Sequence, residues 1–273
     1  MKKQPALIQK RKGIPFLMLF VFVFANVLAQ TQPAPTVYAL VTTQKVLPGN
    51  IVEYEKMMKE NWVPVHQLRK KNGKITNWAL YKVHFAGAAE EYNYVAVSYY
   101  ESFIKTEPND NFPELMKAAN PKADAAAILA RMKDIRTIQR QFVYNRLDVT
   151  TPKAGAPATK FVIIDFMQSK EGMAGEYAKL ESDVWKPVHQ AFVDGDKKNG
   201  WAFWERVVPG GTGSNHNYVT ANVYSSYAQL GSQDYEAFFK KAHPGKDIQA
   251  VSTQTGKARE TVRRELWELI LTL

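Results

Sequence analysis

From Ile51 onward the apolar residues Ile51, Tyr54, Met58, Trp62, Val65 and Leu68 recur at three- and four-residue spacing, the stripe of a helix with one buried face. The stretch before it, Val37 to Thr43, is β-branched and aromatic and predicts a strand. Pro48-Gly49-Asn50 breaks the chain between the two and offers Asn50 as an N-cap. After the turn at Lys70 to Lys74, the aromatic-rich segments Trp78 to Val83 and Tyr92 to Tyr100 predict two further strands. Their connection is too short for a helical crossover, so they run antiparallel. A second helical pattern spans Phe112 to Lys133 with a break at Asn120-Pro121, and Arg136 to Tyr144 alternates like a strand with one buried face.

The whole pattern then repeats. Trp62-Val63-Pro64-Val65-His66-Gln67 returns 123 positions later as Trp185-Lys186-Pro187-Val188-His189-Gln190, and the same offset pairs Tyr54 with Tyr177 and Trp78 with Trp201. After a slip of one residue, Asn93-Tyr94-Val95 matches Asn217-Tyr218-Val219. The second copy supplies strands at Phe161 to Gln168, Trp201 to Val207, Tyr218 to Tyr224 and Glu260 to Trp267, the last also readable as helix. Its first helical stripe is Ala174, Tyr177, Leu180, Trp185, Val188 and Phe192, and its second helical region, Tyr235 to Gln254, breaks at His243-Pro244. Pro64 and Pro187 fall inside the first helix of each copy, where a missing amide and a ring clash predict a kink or break just after the Trp.

Each copy therefore reads strand, helix, strand, strand, helix, strand, the split βαβ order of a ferredoxin-like domain, and the fold class is α+β. The boundaries that follow are repeat 1 at 37–149, a linker at 150–159 without core-forming residues, and repeat 2 at 160–273. The halves are expected to dock with each other, sheet against sheet, as an intramolecular pseudo-dimer, because each is small and would otherwise leave an aromatic sheet face wet.

The N-terminus changes the reading of the charge. Residues 1–29 carry a basic start (Lys2, Lys3, Lys10, Arg11, Lys12), an apolar run from Phe16 to Leu28 and a cleavage-compatible Val27-Leu28-Ala29, which reads as a signal peptide followed by an extended lead-in at 30–36. The apolar run is shorter than the span of about 20 residues that crosses a bilayer. The expected protein is thus secreted or periplasmic, with no membrane span after signal cleavage; the alternative is an uncleaved signal anchor. The formal charge of +10 includes five basic residues of that signal, which leaves +5 beyond it, spread among acidic residues. Nucleic acid is not expected as a partner, because no basic face with interleaved aromatics stands out. The chain has no cysteine, which excludes disulfides, thiolate metal sites and cysteine nucleophiles.

With this element order, a long first helix carrying Trp, Pro and His, and aromatic middle strands, each half resembles the dimeric α/β-barrel superfamily, here as a tandem duplication from Val37 to Thr272. The resemblance implies two ferredoxin-like units whose sheets pack as a pseudo-dimeric barrel with helices outside. The superfamily includes small monooxygenases and haem-degrading or haem-binding proteins.

Six repeated residues are the candidate ligand-binding positions: His66, His189, Trp62, Trp185, Trp78 and Trp201. An imidazole can ligate haem or act as a base near neutral pH, and each His lies one turn beyond a Trp, within reach of its ring. Both types are equally at home in a core. The expected placement sets each first-helix indole between that helix and its own sheet, with the His near the rim. No metal site is expected, since one His per copy lacks partners at ligand spacing. The Gly-rich Pro209 to Gly213 precedes no helix and is a loop, not a phosphate cradle. Catalytic residues and cofactor stay unassigned. The functional reading is an exported small-ligand-binding or scaffold protein with a small apolar ligand; the alternative is a monooxygenase-like or haem-handling enzyme of the same fold.

Overall fold

The computed structural model describes residues 36–211, 215–231 and 234–273; the signal at 1–29 and residues 30–35 of the lead-in lie outside them. The first half runs β1 (Tyr38–Val46), α1 (Ile51–Met57), α2 (Val63–Lys71), β2 (Asn77–Val83), β3 (Tyr94–Tyr100), α3 (Phe112–Ala119), α4 (Ala125–Ile135) and β4 (Arg136–Val149). The second half repeats it as β5 (Phe161–Ser169), α5 (Ala174–Leu180), α6 (Lys186–Asp194), β6 (Gly200–Val208), β7 (Tyr218–Tyr224), α7 (Tyr235–Ala242), α8 (Ile248–Ala258) and β8 (Arg259–Thr272). The segment left open between helix and strand at the C-terminus is a strand.

The breaks in the second helical region separate two helices with their own starts. Asn111 and Asp124 cap α3 and α4, and Asp234 and Asp247 cap α7 and α8, each accepting a hydrogen bond from a backbone amide of the first turn. Asn50, expected as a cap, makes no such bond. The kink expected at Pro64 and Pro187 takes another form. Met58–Trp62 and Glu181–Trp185 wind as π-turns, in which the Val63 amide bonds the Met58 carbonyl and the Lys186 amide bonds the Glu181 carbonyl. Each proline then sits in the first turn of the following helix, where an amide has no intrahelical partner to lose.

The eight strands close into a barrel in the order β1-β3-β2-β8-β5-β7-β6-β4, every neighbouring pair antiparallel. Each half contributes four adjacent strands, and the halves meet at β2–β8 and β4–β6. The inner faces of the two sheets thus share one core, as expected, and the sheets also join edge to edge. Closure removes every exposed strand edge from the barrel. The two faces of each strand divide the core in three. Tyr81, Val97, Ile164, Phe166, Val219 and Trp267 point into the barrel. Trp78, Leu80 and Tyr94 on the outer face pack under the helices of the first half, and Trp201, Phe203 and Tyr218 do so in the second.

Candidate functional site

Because all neighbours are antiparallel, β1 and β5 run one way around the barrel and β4 and β8 the other. The ends of β1 and β5, the starts of β4 and β8 and the loops entering β3 and β7 therefore gather at one end. That end collects the polar side chains Glu91, Tyr92, Arg140, Asn215, His216 and Arg263. Below them a cavity of about 210 Å³ occupies the barrel interior, its body walled by Val41, Val97, Val162, Ile164, Phe166 and Val219. Toward the other end stand Tyr99 and Trp204, with ring centroids 6.4 Å apart, and the hydroxyls of Tyr81 and Tyr99 share a hydrogen bond. A mainly apolar body with a few placed polar groups is the usual design of a small-molecule site.

The centre of the polar end is His216. The loop entering β7 places it against Phe166, Phe142 and Tyr144, with the Tyr144 ring stacked at 6.2 Å and the Phe166 edge at 4.9 Å. Its Nδ1 lies 2.8 Å from Asn215 Oδ1 and its Nε2 lies 2.8 Å from the Tyr144 hydroxyl. Burial first, then the charges of Arg206, Arg263 and Arg140, push the imidazole down to about 3, so it stays neutral in ordinary buffers. Burial raises the Tyr144 phenol above its usual range. The pair is uncharged and hydrogen-bonded on the cavity wall.

Across the mouth the matching positions hold different chemistry. The repeat aligns Tyr92 with His216, Trp267 with Tyr144 and Glu265 with Phe142. Here the Tyr92 hydroxyl donates to Glu265 Oε1 and Trp267 Nε1 donates to Glu265 Oε2, both at 2.7 Å. Arg263 pairs with Glu265 at 2.5 Å and lies over the rings of Phe166 and Tyr92. Its counterpart Arg140 pairs with Glu91 at 2.7 Å. One side of the mouth is neutral and the other is an ion-paired network.

None of the six candidate positions read from the repeat lines this cavity. They lie on the other side of the sheet. His66 and His189 are 6% and 7% exposed, buried and not at the rim. His66 stacks on Trp78 at 4.3 Å and His189 on Trp201 at 5.0 Å, so the structure brings these four together in two pairs. Trp62 is buried against Phe112 of α3, whereas Trp185 is half-buried against Phe239 of α7, its Nε1 donating to Thr255 of α8. Both indoles therefore contact the second helical pair, not only the first helix and its sheet. Each imidazole meets a cation: Arg69 Nη1 lies 3.1 Å from His66 Nδ1, and Lys198 Nζ lies 3.0 Å from His189 Nδ1 and 2.8 Å from Asn222 Oδ1. Burial, with the adjacent cation second, holds both imidazoles well below their ordinary range. Burial also lowers Lys198 to about 7 and raises Glu181, inside the second π-turn, to about 7.

No protein-family model matches the chain, and no curated protein does. Solved structures do. A proposed monooxygenase from Fusobacterium nucleatum superposes with a TM-score of 0.52 at 10% identity, over 88% of this chain and 95% of that one. A proposed monooxygenase from Lactobacillus acidophilus (TM-score 0.46, 10% identity, 88% and 96% covered) and a haem-binding protein from Thermus thermophilus (TM-score 0.46, 9% identity, 86% and 92% covered) are also similar. The fold is the dimeric α/β barrel. Here both units of the barrel are halves of one chain, related by tandem duplication.

Haem, which this fold accommodates in some of its members, does not fit the residues that line this cavity. The barrel cavity lies below the range of about 300–1,000 Å³ of sites for drug-sized ligands, and a porphyrin is larger than most of those. His216 has both ring nitrogens engaged, and His66 and His189 are each covered on one face by an indole with Nδ1 held by a cation. Among the described residues no three His, Asp or Glu side chains gather to hold a metal ion, and no helix is long and apolar enough to cross a membrane.

His216, Tyr144 and Tyr92 are not visible among the residues that the copies share, and Arg263, which Arg140 matches, lies in a strand whose pattern marks no site. The signal that points to them is the opposite one. They face the barrel, and at the positions of His216 and Tyr144 the second copy and the first carry different residues.

Proposed function

We propose that this protein binds a small, mainly apolar molecule inside the barrel, oriented at its polar end by Tyr144 and His216. The observation that carries the reading is the cavity of about 210 Å³, with an apolar wall and every titratable lining group at the mouth or in a hydroxyl pair. Binding is better supported than acid–base catalysis. A general base works best when it titrates near the operating pH, whereas His216 is held neutral down to about 3. The second reading, a monooxygenase-like enzyme, draws on the same hydrogen-bonded Tyr144–His216 pair beside an apolar chamber, and would show as oxygen uptake in the presence of a bound aromatic.

The test fills the chamber. Ala221 lines it on β7, and Ala221→Phe places a ring in the empty space. Trp204 and Trp267 also line it, so their fluorescence reports occupancy when single-ring aromatic and short aliphatic compounds are titrated. Wild type is expected to bind some of them and the variant to bind at least about tenfold more weakly, with thermal stability unchanged or raised because a cavity has been filled. Equal binding by the variant, or no binding by wild type across the panel, would remove the proposal.

We also propose export, from the basic start and short apolar run of residues 1–29. Mass spectrometry of the chain recovered from the periplasm or medium of a bacterial host should show Gln30 as its first residue. A full-length chain retained with the membrane would contradict this.

A further inference from the structure

Hydrogen-bond direction at the mouth restricts what the cavity can hold. Asn215 Oδ1 only accepts, so the single proton of neutral His216 sits on Nδ1, and Nε2 presents a bare lone pair to the Tyr144 hydroxyl 2.8 Å away. A phenol has one proton, and that of Tyr144 is committed to His216. The Tyr144 oxygen can therefore only accept from a ligand. The two arginines that line the cavity are not waiting for an anion either: Arg140 is paired with Glu91, and Arg263 with Glu265 and Tyr92. A carboxylate entering here would turn lone pairs toward a lone pair while losing its water, a costly combination. An apolar ring carrying one hydroxyl meets neither obstacle, because its body faces valine, isoleucine and phenylalanine walls and its proton finds a vacant acceptor at the mouth.

We propose that the ligand of the barrel is a single-ring or small hydroxy-aromatic compound that donates its hydroxyl proton to Tyr144 Oη, and is not a carboxylic acid. This rests on the reading that the cavity binds a small apolar molecule, and it adds the chemical class. His216 acts as a positioning residue: it does not touch the ligand, and it sets which way the Tyr144 hydroxyl points.

Calorimetric titration of the full chain with four compounds of nearly equal size tests it. p-Cresol donates and accepts, 4-methylanisole only accepts, p-xylene does neither, and 4-methylbenzoate is an anionic acceptor. Wild type is expected to bind p-cresol about tenfold more tightly than 4-methylanisole or p-xylene, the worth of one buried hydrogen bond, and to bind 4-methylbenzoate weakest. Tyr144→Phe should level p-cresol with p-xylene. His216→Leu frees the Tyr144 proton, so 4-methylanisole should rise to parity with p-cresol or above it, a reversal that loss of packing alone would not produce. If 4-methylanisole or 4-methylbenzoate matches p-cresol in wild type, the donor assignment is overturned while the apolar cavity stands. If none of the four binds, the cavity reading falls with it. The wild-type ranking decides the matter even if a variant fails to fold.

Discussion

Replacing Trp78 or Trp201 by alanine is expected to lower the unfolding free energy by about 3–5 kcal/mol each, the usual loss for a large aromatic removed from a core. Each indole is 1% exposed at the outer face of its sheet and supports a stacked imidazole, His66 over Trp78 and His189 over Trp201. Removing the indole deletes its own contacts and leaves the buried imidazole without its floor. Trp62 and Trp185 should cost less. Trp62 retains more exposure, and Trp185 is half-buried among helices, where neighbouring side chains can close over a gap. The two large losses should nearly add, because Trp78 and Trp201 belong to separate cores beneath separate sets of helices. Urea unfolding of the two single variants and the double variant measures this. A Trp62→Ala variant less stable than Trp78→Ala would show that the ranking by burial is wrong.

Acidification from pH 7.5 to pH 5 is expected to destabilise the protein by several kcal/mol. Three imidazoles, His66, His189 and His216, are held neutral in the folded chain, each mainly by burial. In the unfolded chain each takes up a proton below its ordinary value of about 6.5. With the folded values depressed, the unfolded state binds more protons as pH falls through that window, so stability is lost there, by about 2 kcal/mol per imidazole at pH 5. Glu181 works in the opposite direction. Its folded value, raised to about 7 by burial, lets the native chain hold a proton that the unfolded chain has released, which favours folding at pH 5 over pH 7 and offsets roughly one imidazole. Glu181→Gln should therefore steepen the acid loss. Lys198, lowered to about 7, adds stability as pH rises from 7 toward 10, because only the unfolded chain then keeps the proton. Urea midpoints at pH 5, 7.5 and 9 follow all three terms, and a flat profile between pH 5 and 7.5 would refute the assignment of neutral buried histidines.

The repeat identifies shared residues well, and many of the shared residues lie in the helix-on-sheet cores. Tyr54 and Tyr177, Trp78 and Trp201, and His66 and His189 recur because each half must seal the same helix-on-sheet core, and in both halves these side chains do so. The cation that meets each imidazole shows how weakly such a core constrains sequence elsewhere. Arg69 reaches His66 from the same helix, while Lys198 reaches His189 from the turn before β6, and the residues at the matched positions, Phe192 and Ile75, are apolar.

What the sequence determined by itself is local or repeated. The α+β order, the helical stripes, the strands and the split of the second helical region at two prolines all follow from periods of 3.6 and 2 and from residues that cannot continue a helix. The duplication follows from the offset of 123. The manner of closure is a different kind of fact. β2 pairs with β8 across nearly two hundred residues, and β4 with β6, because a four-stranded sheet leaves two open edges whose backbone groups need partners; nothing in either strand alone names that partner. The π-turns before Pro64 and Pro187 likewise come from fitting a proline into a helix that is held at both ends. The candidate site depends most on tertiary structure. His216 and Tyr144 are 72 residues apart, one from each half, and only the antiparallel closure of the barrel sets them on the same wall at the same end.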